Sequence, residues 1–135
     1  MSHYSQVAIE ITDESCLVVA LERLGFKGKV EVYSEAQALY GYQGDVRTQK
    51  AHVIIRRHYV GQAANDIGFQ RQSDGSYLAF ISDYDRDYNQ YNGEWLGRLK
   101  QAYGVEKTRA EAKKKGYRVS EQKLGDGRIR LVLRS

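Results

Sequence analysis

The stretch Ile67-Gly68-Phe69-Gln70-Arg71-Gln72-Ser73-Asp74-Gly75-Ser76-Tyr77-Leu78-Ala79-Phe80-Ile81-Ser82 places two apolar-rich arms around a polar turn. Asp-Gly tolerates positive φ, which suits the tight turn between antiparallel strands. Residues 66–82 therefore read as a hairpin, with strands Ile67 to Gln72 and Tyr77 to Ser82. Upstream, Ala51 to Val60 is strongly β-like around Val53-Ile54-Ile55. Ser34 to Lys50 holds Gly41 and Gly44 without a clear period and reads as a loop or a weak hairpin. Lys29 to Tyr33 is a short strand. At the start, Val7, Ile9 and Ile11 alternate with Gln6, Ala8 and Glu10, so Tyr4 to Ile11 is a strand with one apolar face. Thr12-Asp13 offers oxygens to a helix start, Leu17, Leu21 and Leu24 form its stripe, and Gly25 ends it.

Downstream of the hairpin the period changes. Trp95, Leu99, Ala102 and Tyr103 fall on one face of a helix. Gly104 weakens that helix by roughly 1 kcal/mol relative to alanine and is a place for a bend. Glu106 to Lys115 is rich in helix formers, and Gly116 stops it. A second hairpin follows: Tyr117 to Lys123, a turn at Gly125-Asp126-Gly127, then Arg128 to Arg134. The order β-α-β-β-β-β-α-β-β predicts one α+β domain over residues 1–135, a largely antiparallel sheet with two helices packed on one face.

The chain has 135 residues, 41% of them hydrophobic, which excludes a disordered polypeptide. No apolar run suits a membrane span, no secretory leader is recognisable, and the lone Cys16 forms no intrachain disulfide, so a cytoplasmic protein is expected. Charge is uneven. Residues 1–97 carry nine basic and thirteen acidic side chains, a net −4, whereas residues 98–135 carry twelve and four, a net +8.

Three residue sets could carry a function. Tyr84, Tyr88 and Tyr91, with Tyr42 in the Gly41-Tyr42-Gln43-Gly44 loop, suit a protein contact, because tyrosine combines area with a polar tip. Trp95 shares that neighbourhood, but its helical phase points to the core. Lys113, Lys114, Lys115, Arg118, Arg128, Arg130 and Arg134 form the alternative, a nucleic-acid surface that neutralises phosphates. Asp83, Asp85, Asp87 and Glu94 occupy positions one, three, five and twelve of a calcium-type loop, but Tyr88 stands where the loop needs glycine. A metal-dependent enzyme is thus a weaker alternative. No phosphate-binding glycine loop, nucleophile elbow or C-x-x-C pair is present, so neither catalytic residues nor cofactors are assigned.

Several segments resemble one family in the right order. They are Met1-Ser2-His3-Tyr4-Ser5-Gln6, Leu24-Gly25-Phe26, Gly41-Tyr42-Gln43-Gly44 with Ala51-His52-Val53-Ile54-Ile55-Arg56, Asp66-Ile67-Gly68-Phe69, Leu99-Lys100-Gln101-Ala102-Tyr103, Lys115-Gly116-Tyr117 and Asp126-Gly127-Arg128-Ile129-Arg130-Leu131. Together they are similar to the domain of unknown function 1257 family, which includes the hypothetical chloroplast reading frame 35 proteins. After Asp83 an Asp/Tyr-rich segment replaces the family's aromatic-rich one. The resemblance implies no established activity. It implies an accessory role beside an AAA-type ATPase or a ferredoxin-like protein. The expected function is a small non-enzymatic binding module acting through protein contacts.

Overall fold

The computed structural model describes residues 3–135; the Met1-Ser2 part of the opening motif lies outside them. Strand β1 (Tyr4–Ile9) leads into helix α1 (Glu14–Leu21), which continues as a wide π-helical turn over Glu22–Phe26. Then come β2 (Val30–Tyr40), β3 (Val46–Ile55), the single helical turn α2 (Arg57–Val60), β4 (Ile67–Arg71) and β5 (Tyr77–Ser82). Helices α3 (Asp83–Tyr88) and α4 (Gly93–Lys114) precede the ribbon strands β6 (Arg118–Lys123) and β7 (Ile129–Arg134). The main sheet has the order β1-β5-β4-β3-β2, with every neighbouring pair antiparallel. The fold is α+β, as the alternation of hairpins and helices predicts.

Asp13 caps α1 by accepting from the Cys16 amide, and Gly25 closes the following turn at φ 106°. Cys16 is buried, and burial first, then the Asp13 charge, pushes its thiol upward. The α1 stripe of Leu17, Ala20 and Leu21 and the α4 face of Trp95, Leu99, Ala102 and Tyr103 pack on one face of the sheet. They meet Ile9, Val53, Ile55, Ile67, Phe69, Ala79 and Ile81 there. The Tyr103 hydroxyl accepts from the Thr12 and Asp13 amides and so joins the two helices.

The structure redraws several predicted elements. Of the two readings open for residues 34–50, loop or weak hairpin, the structure takes the hairpin: its arms belong to β2 and β3, both longer than expected, and two register shifts in their pairing break the period. Those shifts let the hairpin arm fold over the second face of the sheet. There Leu39, Ala51, Ile54 and Phe80 form a smaller core, and Leu39 and Ala51 lie directly on Gly68. The strand predicted for 51–60 ends at Ile55, and the chain turns at Arg57 because the Asp66 carboxylate takes the Arg57 amide. Strand β1 stops at Ile9, although Ile11 is still buried. Helix α4 runs through Gly104 without a break, since Ala102 and Tyr103 before it and Val105 and Glu106 after it are all buried. The C-terminal hairpin forms its own two-stranded ribbon and does not extend the main sheet.

Candidate functional site

The acidic segment after β5 is a helix. Ser82 caps it: its hydroxyl accepts from the Asp85 amide at 3.0 Å and donates to Asp85 Oδ2 at 2.8 Å. Asp85 is fully buried and also accepts from the Asn65 amide and from Asn89 Nδ2, each at 2.9 Å. The loop expected over 83–94 is therefore replaced by a turn and a half of helix pinned from beneath. Asp83 and Asp87 lie at the surface, where Arg86 contacts both. Glu94 is exposed in the first turn of α4. Among the described residues, no group of three or more His, Cys, Asp or Glu side chains is placed to hold a metal ion.

The same seating fixes the tyrosines. Tyr84 and Tyr88 face each other on α3 with ring centroids 5.0 Å apart, and Tyr88 is 74% exposed. Tyr91 turns inward: its hydroxyl donates to the Val60 carbonyl at 2.9 Å and its ring meets the buried Trp95 edge-on at 5.1 Å. Tyr42 lies exposed in the turn between β2 and β3. Gly44 has φ 79° there, and a Cβ on Gly41 would come within 2.5 Å of the Asp45 carboxylate. Backbone geometry thus requires the second glycine of the Gly-Tyr-x-Gly motif, whereas a side chain at the first would have to displace the Asp45 carboxylate.

A buried polar chain, which residue patterns alone did not reveal, joins these two regions. Asn65 Oδ1 accepts from the Tyr42 amide, while Asn65 Nδ2 donates to Ser82 Oγ, both at 2.9 Å. Next to it, Asp66 accepts from the amides of Tyr40 and Arg57, each at 2.7 Å, and from Arg56 at 2.8 Å. Burial opposes the Arg56 charge, yet its hydrogen bonds with Asp66, Tyr33 and Glu31 outweigh that and raise its pKa. Tyr4 donates to the Asp66 carbonyl at 2.7 Å, and burial, then the Asp66 charge, drives its phenol far upward. The signal that could have exposed this chain was the Asn65-Asp66 pair itself, two polar residues directly before a wholly buried strand start.

The basic residues gather elsewhere. In the ribbon Arg118 pairs with Arg134 and Gln122 with Arg130, so Arg118, Arg130 and Arg134 share one face. The opposite face turns to α4, where Ile129 and Ala102 help line one open hollow and Leu133 and Ala112 another. Glu121, on that inner face, bonds Arg109 of α4 and Arg23, which also holds Glu106. Lys113, Lys114 and Lys115 are exposed at the end of α4, and Arg128 pairs with Asp126 in the ribbon turn. No described helix is long and apolar enough to cross a membrane.

No curated protein matches this chain, and no solved structure does. A family model described as "Protein of unknown function (DUF1257)" matches residues 20–132, nearly the full length. With that match carrying the motifs from Leu24-Gly25-Phe26 onward in order, the chain belongs to the DUF1257 family.

Proposed function

We propose that this protein is a non-enzymatic accessory module that works by binding another protein. The observation carrying this reading is the exposed Tyr88 ring, set against the half-buried Tyr84 ring on a helix that buried Asp85 holds in place. Aromatic groups ordered in advance lose little freedom on docking, so more of their contact area becomes affinity. The most polar buried groups, Asn65, Asp66, Ser82 and Asp85, are engaged in holding backbone and one another, which supports a structural task for them. The resemblance points to an AAA-type ATPase or a ferredoxin-like protein as the first partners to try. In a pull-down with such a partner, Tyr88→Ala is expected to lower capture about tenfold with the unfolding midpoint unchanged, as for an exposed aromatic contact. Undiminished capture by the folded variant would overturn the reading.

A second reading rests on the ribbon register, which aligns Arg118, Arg130 and Arg134 outward near Lys113–Lys115. Such a face suits nucleic-acid phosphates. Its binding would weaken steeply with salt. Anisotropy at low salt with single- and double-stranded RNA and DNA separates it from the first reading, and absence of binding to all four removes it.

A further inference from the structure

An open strand edge presents unpaired N–H and C=O groups, and proteins guard such edges with charge, proline or bulges. Among the described residues four edges are open: β1 and β2 on the main sheet, β6 and β7 on the ribbon. Three are guarded. β2 carries Glu31, Glu35 and two register shifts, β6 has Arg118 and Lys123 at its ends, and β7 has Arg130 and Arg134. β1 is the exception. Tyr4-Ser5-Gln6-Val7-Ala8-Ile9 holds no charge and no proline, and it pairs with β5 without a shift.

The direction of its free groups follows from one bond. The Asp83 amide donates to the His3 carbonyl, which makes 3 and 83 a hydrogen-bonded pair. Such pairs recur every second residue, so Ser5, Val7 and Ile9 turn their backbone groups to β5. Tyr4, Gln6 and Ala8 point theirs outward. Along the helix side of this edge lies a pocket of about 190 Å³ whose surface is mostly apolar, from Val7, Ile81, Tyr91 and Leu96, with Ser5, Arg86 and Asn92 as its polar lining. Gly93 borders it, and nothing stands within 4 Å of where a Cβ on that glycine would be.

We propose that the β1 edge receives an extended segment of a partner protein, which adds as a further strand and seats an aliphatic side chain in this pocket. Backbone bonds supply affinity in such strand addition, and a side-chain pocket supplies selectivity. This rests on the protein-binding reading and specifies the partner's chemistry. Arg86 is the one charged residue lining the pocket, but Asp83 and Asp87 both pair with it and Glu94 follows the bordering Gly93, so acidic groups outnumber basic ones beside the pocket. The segment therefore carries Lys or Arg beside its aliphatic residue. Charge also argues against a second copy of the chain. Antiparallel pairing of two β1 edges sets the end near Asp83 and Asp87 against the Glu10 end of the other, like against like.

The test titrates the full chain, by calorimetry, with heptapeptides Lys-Thr-X-Thr-X-Thr-Lys, X being Val, Leu or Ile. Saturable binding is expected for at least one, about tenfold weaker when glutamate replaces both lysines, with slowed amide exchange confined to residues 4–9. Gln6→Pro removes an outward N–H that β5 does not use, a change edge strands tolerate, and should abolish binding. Gly93→Met should weaken it by occupying the pocket mouth. The proposal falls if no peptide of the panel binds, if both variants bind as the parent does, or if the chain is a dimer that Gln6→Pro dissociates. Loss of partner capture in Tyr88→Ala together with silent peptides would leave the binding module standing and remove only the β1 site.

Discussion

Asp66 shows how one side chain can decide the path of a chain. Its carboxylate gathers the Tyr40 amide, the Arg57 amide and the Arg56 guanidinium, and so ties the β2 end, the α2 turn and the β4 start together. Removing one partner of a buried ion pair strands the other, so Asp66→Ala should cost about 3 kcal/mol or more. Asp87→Ala, at an exposed surface pair screened by solvent, should leave stability nearly unchanged; urea unfolding of both variants checks the contrast. The same residues mark what the sequence made legible. Asp66 was visible as a motif letter, but its three donors come from two separate stretches of chain, Tyr40 and Arg56-Arg57, that only the fold brings together. Asp83, Asp85 and Asp87 show the converse. Their spacing fits a cation loop, and the Ser82 hydroxyl, a cap invisible to that spacing, wound them into a helix instead.

Helix α4 and the β6–β7 ribbon carry the next predictions. Gly104 is exposed mid-helix with open space around its Cβ position, so Gly104→Ala should stabilise by about 0.5–1 kcal/mol, read as a higher thermal midpoint. Glu121 ties the ribbon to Arg23 and Arg109, and the Arg23 hydrogen bond first, then Arg109, hold its carboxyl below the usual range. A carboxyl whose pKa is lowered by folding binds fewer protons in the native state than in the unfolded one. Its contribution is whole above the ordinary glutamate value of about 4.3 and is lost as pH falls through the lower folded value. Glu121→Gln should therefore lower the midpoint at pH 7 and flatten its decline between about pH 5 and 3, which a calorimetric pH series measures. Elements with a clean period, such as α1, β5 and the front of α4, were readable from spacing alone. β2 was readable only over its first residues, Val30 to Tyr33, because the register shifts that follow reset the alternation that reveals a strand.

Across the whole molecule, the main core draws its buried residues from Ile9 to Tyr103, with none from the ribbon. Ending the chain at Lys115 should therefore leave cooperative unfolding intact, with a midpoint about 3–6 °C lower for each kcal/mol of ribbon contact removed. Loss of the cooperative transition would show that the basic tail is integral to the fold. The split of charge follows this anatomy: the acidic part of the chain forms the main sheet with the helices before α4, and the basic part forms most of α4 and the ribbon on it. Trp95, the single tryptophan, sits at the join of these parts, buried against Tyr91 with Phe26 close by. Its indole is thus a built-in optical gauge. If the helical layer lifts from the sheet, water reaches that ring and its emission moves to longer wavelength, so a cuvette and a lamp can follow the opening without any label.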